Sequence, residues 1–182
     1  MKNTPILLFA LFFTLSFSSA QAHPHDYIIT TKGDTVAAAI KVNFWSGKVV
    51  YQLPGSTTTE RMDAENVKEY YWSEKKDPTF VAMVLPGRDK PVFATLLVRG
   101  KIDLYEYISH SGKGSSKYWY ASKGNLPVVE INNEKLLFGV NKKLKKNLAV
   151  LLSDNQQVMQ YLNGGKYNFK SIKSLIEQYN AS

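Results

Sequence analysis

The sequence contains no cysteine. That removes disulfides, thiolate metal sites, a cysteine nucleophile and the lipid-bearing cysteine of a lipoprotein, so packing alone must hold the fold. Histidine is scarce as well: His23, His25 and His110 are the only 3. A Ser-His-Asp triad would have to use His110, from a Gly/Ser/Lys-rich segment that offers a base poor pre-organisation. No Gly-x-Ser-x-Gly elbow and no His-Glu-x-x-His helix is present, which leaves out two common hydrolase designs. The segment Gly112-Lys113-Gly114-Ser115-Ser116 has Tyr at 107 and Gly at 114, where a phosphate loop needs Gly and then Ser or Thr. Asp103 and Glu106 stand three apart in a strand pattern and therefore face opposite sides, which does not suit a glycosidase pair. These absences point to a protein that is not an enzyme, with a glycan-acting hydrolase as the remote alternative.

What is present starts with the first 22 residues. Lys2 gives a positive start, Ile6 to Phe17 is apolar apart from Thr14 and Ser16, and Ser18-Ser19-Ala20-Gln21-Ala22 supplies small residues and an Ala-x-Ala cleavage pattern. Residues 1–22 thus read as a signal peptide, cut after Ala22 or Ala20. The apolar stretch is shorter than the about 20 residues of a membrane span, and no later run reaches that length; Val92 to Val98 suits a buried strand. A soluble exported chain in the periplasm or at the cell surface is expected, with no transmembrane segment after cleavage. Its 160 residues, 182 less 22, form one domain spanning 23–182. The formal net charge is +8, and Lys2 is the one charge lost with the signal. Export argues against nucleic acid as the partner of that excess and leaves lipid head groups, glycans or envelope proteins.

Residues 27–132 read as β-structure. Tyr27 to Thr30 and Thr35 to Val42 flank a Lys32-Gly33-Asp34 turn. Val49 to Leu53, Val67 to Trp72, Thr79 to Leu85, Val92 to Arg99, Ile102 to Ile108, Lys117 to Ser122 and Val128 to Asn132 supply further strands, with His110 to Lys117 read as a loop. Val92 to Arg99 is apolar enough for a strand buried on both faces. Helical spacing takes over in 134–180. Leu136, Val140, Leu144, Leu148 and Leu151 share one face, Ser153-Asp154 offers a cap for a second helix, and Asn168 caps a third with Ile172, Leu175, Ile176 and Tyr179 inward. Strands followed by helices predict an α+β fold: an antiparallel sheet or partly open barrel of about 8 strands, with about three C-terminal helices packed on it.

Three segments carry a family likeness: Tyr27-Ile-Ile-Thr-Thr-Lys-Gly-Asp-Thr, Leu97-Val-Arg-Gly-Lys-Ile-Asp-Leu-Tyr, and Gly165-Lys-Tyr with Ile176-Glu-Gln-Tyr-Asn. In order and spacing the chain resembles a family of uncharacterised exported proteins of Bacteroidetes-type bacteria. Ala37-Ala38-Ala39-Ile40 stands where that family has a Gly-Lys-Ile-like strand. The resemblance implies a cell-envelope setting and assigns no residue a role.

Candidate binding residues fall in three places. His23-Pro24-His25-Asp26 opens the processed chain, and an N-terminal histidine can hold Cu(II) through its amine and imidazole, with His25 or His110 as second imidazole. Pro24 lacks the amide that a planar amino-terminal copper site needs. Cleavage after Ala20 would remove the His23 amine. The triplets Tyr70-Tyr71-Trp72 and Tyr118-Trp119-Tyr120, with Phe44-Trp45, must place rings on both faces of their strands. Trp72 and Trp119 then either form core or offer a stacking surface for sugars. Lys142, Lys143, Lys145 and Lys146 crowd one amphipathic helix and could meet anionic lipid. The reading closest to all of this is a non-catalytic binding or accessory module of the cell envelope, with periplasmic copper binding as the alternative.

Overall fold

A computed structural model describes residues 26–43, 48–111, 114–133, 142–164 and 168–182. The signal segment, His23, His25 and the Phe44-Trp45 pair lie outside the described residues. Within them the chain forms eleven strands and then three helices. The strands are β1 Tyr27–Thr30, β2 Thr35–Ala37, β3 Ala39–Val42, β4 Val49–Gln52, β5 Glu60–Arg61, β6 Val67–Tyr71, β7 Thr79–Met83, β8 Val92–Val98, β9 Asp103–Ser111, β10 Gly114–Ser122 and β11 Val129–Asn133. The helices are α1 Lys142–Leu152, α2 Gln156–Gly164 and α3 Phe169–Ala181.

Eight strands pair antiparallel in the order β11-β10-β9-β8-β7-β6-β1-β2. The order runs from one free edge to the other, so the sheet stays open instead of closing as a barrel. β3, β4 and β5 make a second, small sheet. The fold is α+β as the sequence indicates. The β1–β2 turn forms where expected: Gly33 takes φ +93°, which suits glycine, and its N–H donates to the Thr30 carbonyl.

Side-chain alternation gives the large sheet two unlike faces. Ile28, Tyr70 and Phe80 stand opposite one another across β1, β6 and β7, and Leu104 faces Ala121 across β9 and β10. These residues lie on the covered face. At its β1–β6 end the small sheet closes over it, with Ile40, Tyr51 and Met62 packed against Ile28, Tyr70 and Trp72. At its β8–β11 end the helices close over it, burying Leu152, Leu162, Ile172 and Ile176 completely against Ile102, Leu104, Ala121 and Ile131. Burying a side chain of that size is worth about 1.5–3 kcal/mol, so this end carries the largest share of the core.

Polar fastenings lock the helices to the strands. Asn180 of α3 uses its amide like a strand neighbour: Nδ2 donates to the Ile102 carbonyl and Oδ1 accepts from the Ile102 N–H, both at 2.8 Å. Gly100 makes room for it, since a Cβ there would lie 2.4 Å from Asn180 Nδ2. Two of the sequence segments noted above thus meet at one point. Asp154, between α1 and α2, binds Lys123 Nζ at 2.7 Å and takes the Tyr179 hydroxyl at 2.8 Å. At the other end Asp26 accepts from the backbone and hydroxyl of Ser73, and its carbonyl accepts from Ala38 N–H.

Several local expectations change. Thr35 to Val42 is not one strand: it divides at buried Ala38, β2 joining the large sheet and β3 the small one. No Gly or Pro marks the break, because the Asp26 contacts set it. The described part of His110 to Lys117 is strand and not loop; residues 112–113 lie outside the described residues. β9 and β10 pair through Ser111 and Gly114, with Ser115 opposite His110, because side chains of low strand preference are tolerated where the ladder simply continues. β8 is not buried on both faces: it is half-buried along its length, with Ala94 alone fully buried. The α2 cap is Asn155, whose Oδ1 accepts from Val158 N–H, because Asp154 is engaged by Lys123 and Tyr179. Asn168 caps α3 as expected, in a reciprocal box with Ser171, and Ile172, Leu175, Ile176 and Tyr179 face inward.

Candidate functional site

The second face of the large sheet carries a different set of residues. The register aligns Tyr27 with Tyr71, Tyr71 with Thr79, Leu96 with Tyr105, and Tyr105 with Tyr120. The pairing of Phe80 with Thr95 puts Thr79 beside Leu96. One row therefore crosses six strands and holds four tyrosines. A second row, two residues along, runs Ile29, Glu69, Val81, Ala94, and then Tyr107 opposite Tyr118. The apolar cluster on this face is built from β7, β8, β9 and β10 with Leu85 and Val128, and takes no residue from a helix or from the small sheet. Among the described residues no helix or strand layer covers it.

Burial within the two rows is graded. Tyr105 and Tyr120 form a floor at 6% and 7% exposure. Burial pushes both phenols up to about 12, and the Asp103 carboxylate beside Tyr105 and the Glu130 carboxylate near Tyr120 act in the same direction. Tyr27, Tyr71, Tyr107 and Tyr118 are half-buried and keep part of their rings open. Tyr27 and Tyr71 lie parallel, with centroids 5.4 Å apart and planes 6° apart. The Arg88 guanidinium sits 4.9 Å above the Tyr107 ring. Between the two tyrosine groups Arg99 reaches across β7 to Glu69 at 2.7 Å. The carboxylate is nearly enclosed, while the Arg99 side chain stays 60% exposed. The hydrogen bond to Glu69 raises the Arg99 pKa further, so a fixed cation stands in the middle of the face.

The residues singled out from sequence go elsewhere. Trp72 and Trp119 are buried at 5% and 8% exposure on the covered face. Trp72 packs in the cluster under the small sheet, and Trp119 stacks on Phe169 of α3 at 4.5 Å. Neither indole is open to a ligand, so the sugar-stacking reading of these two residues gives way to the core reading. Each triplet does present rings to both faces, but the outward rings are Tyr71, Tyr118 and Tyr120. Lys142 and Lys143 open α1, and their side chains lie outside the described residues. Lys146 is exposed, while Lys145 is half-buried with Nζ 3.4 Å from the Asn163 carbonyl. His110 is exposed on β9, opposite Ser115. Asp103 and Glu106 occupy opposite faces, Asp103 beside Tyr105 and Glu106 near Lys117. Among the described residues no group of three or more His, Asp or Glu side chains is arranged to hold a metal. No helix of the described residues is long and apolar enough to cross a membrane.

Tyr27, Tyr105 and Tyr107 are the residues that sequence reasoning passed over. For Tyr105 and Tyr107 the signal was the period-two spacing of tyrosine, repeated at 118 and 120; Tyr27 carries no such signal. Fold and face together define an α+β protein with an open, tyrosine-lined sheet. No protein-family model, no curated protein and no solved structure matches the chain.

Proposed function

We propose that the protein is a non-catalytic binding module of the cell envelope, and that its working surface is the tyrosine-lined face. One observation carries this reading: the sheet has one face under helices and a small sheet, while the other carries two rows of tyrosines with no described layer over them. Tyrosine rings combine large apolar area with a polar tip, a composition enriched where proteins meet ligands. The envelope setting is supported by the signal-like first 22 residues and by the likeness to exported proteins of Bacteroidetes-type bacteria. Intact mass of the protein from envelope fractions tests that setting, with a chain starting at His23 or Gln21 expected.

Tyrosine nitration read by mass spectrometry tests the surface. Addition of solubilised envelope extract is expected to protect Tyr27, Tyr71, Tyr107 and Tyr118 while leaving Tyr161 of α2, 56% exposed, unchanged. Equal labelling with and without extract removes the reading. Copper binding through His23 and His25 is a separate proposal carried by the sequence alone. Calorimetry of the processed protein with Cu(II) decides it, and affinity no tighter than micromolar ends it.

A further inference from the structure

We infer that the tyrosine face holds an extended, uncharged glycan strand lying across the β-strands. The inference rests on the binding-module reading and adds the ligand class.

Spacing is the first ground. The half-open rings form two groups, Tyr27 with Tyr71 on β1 and β6, and Tyr107 with Tyr118 on β9 and β10. From β6 to β9 there are three strand steps, so the groups lie about 14 Å apart at the usual strand spacing. One small ring cannot touch both. A short chain of sugar rings can, each group meeting the apolar face of a different unit.

The chemistry between the groups is the second ground. Thr79 and Leu96 lie in the row, and the Arg99 guanidinium, held by Glu69, belongs to a side chain that stays 60% exposed and has more N–H donors than that one contact uses. This alternation of ring, donor and ring suits a ligand that alternates apolar ring faces with hydroxyls. A lipid tail would leave the phenols and the guanidinium without partners, at a cost for each desolvated polar group.

Charge is the third ground. The excess of +8 does not reside on this face. Arg88 and Arg99 stand there with Glu69, Asp103 and Glu130. Such a balance gives no attraction for a polyanion, which sets an uncharged glycan ahead of an acidic polysaccharide or an anionic lipid surface. The side chains are also held by one another: Tyr27 stacks on Tyr71, Arg88 lies over Tyr107 and Arg99 pairs with Glu69. Rings and cations held in this way lose little freedom on binding.

The test is an array of neutral and acidic oligosaccharides from disaccharide to hexasaccharide, with calorimetry on the hits using the processed chain. Affinity is expected to climb with length among neutral members and to level off once both tyrosine groups are spanned. Tyr71→Ala and Tyr107→Ala should each weaken the hexasaccharide about ten-fold, which corresponds to ~1.4 kcal/mol. Tyr161→Ala should leave it unchanged. Tyr71→Phe and Tyr107→Phe keep the rings, and retention of most of the affinity separates ring loss from a folding defect. Binding independent of length, or confined to acidic members, overturns the inference. So does silence from the whole array while envelope extract still protects the tyrosines, an outcome that leaves the binding-module reading standing. Attachment to phosphatidylglycerol vesicles, or a dimer abolished by Tyr107→Ala, overturns it by naming another occupant.

Discussion

The two faces of the large sheet are made from the same strands, yet they use aromatic residues in opposite ways. On the covered face Tyr70, Trp72 and Trp119 are sunk among apolar side chains, aromatic as well as aliphatic, and serve as volume. Neither indole N–H has a hydrogen-bond partner among the described residues, a cost of about 1–3 kcal/mol each that close packing offsets. On the other face Tyr105 and Tyr120 fill the floor and four further tyrosines keep ring area open. Aromatic content alone therefore says little about binding. What matters is which face of the strand another layer happens to cover.

The sharpest way to break this contrast is to cut each face in turn. Leu104→Ala, at a fully buried site under the helices, should cost about 2–5 kcal/mol, measured by urea unfolding. Next in size is the Asn180 fastening: Asn180→Ala leaves the Ile102 N–H and carbonyl unpaired and should cost about 1–3 kcal/mol. Gly100→Ala should cause a similar loss by displacing the Asn180 side chain, and the double variant should lose less than the sum of the two. Tyr107→Ala on the open face should cost no more than about 1 kcal/mol while weakening ligand affinity about ten-fold, the reverse of the Leu104 pattern.

Titration sharpens the same comparison. Tyr105 and Tyr120 hold their protons up to about 12 in the fold, against about 10 for an unfolded tyrosine. A raised acid pKa means the folded state binds the proton more tightly. The stabilisation is complete below pH 10 and falls as the pH climbs through the two values. Ultraviolet titration should show these phenols ionising late, together with loss of structure. At the acid end Asp154 behaves oppositely: Lys123 and the Tyr179 hydroxyl hold its carboxyl below the usual range. Its contribution is present above the ordinary carboxylate pKa and lost as the pH falls through the lowered one. Asp154→Asn should flatten that acid limb of the stability curve, the smallest of these effects because the carboxylate is solvent-exposed.

Local signals were legible and partnerships were not. The Asn168 cap and the inward face of α3 follow from residues within one or two turns, so the sequence shows them directly. Period-two alternation likewise showed that both aromatic triplets must serve two faces. The order of strands decides which face is covered, and that depends on contacts such as Asn180 with Ile102, 78 residues apart. For the indoles the sequence leaves core and stacking surface both open, because the size that offers a ring face to a sugar is also what fills a core. Asp154 was read as a cap because its neighbours in the chain suggest one, while its actual partners come from β10's end and from α3.

The division at Ala38 has a consequence for chain length. Tyr27 pairs with Ala37 in one sheet and Ala39 with Gln52 in the other, and Val36 and Ile40 both point into the core cluster around Ala38. Adding or removing a single residue there reverses the alternation of one sheet against the other and turns either Val36 or Ile40 out to water. Insertions should be absorbed in the turn at 54–59, where the backbone pairs with no strand, and rejected at 38, where the two sheets count residues from the same origin.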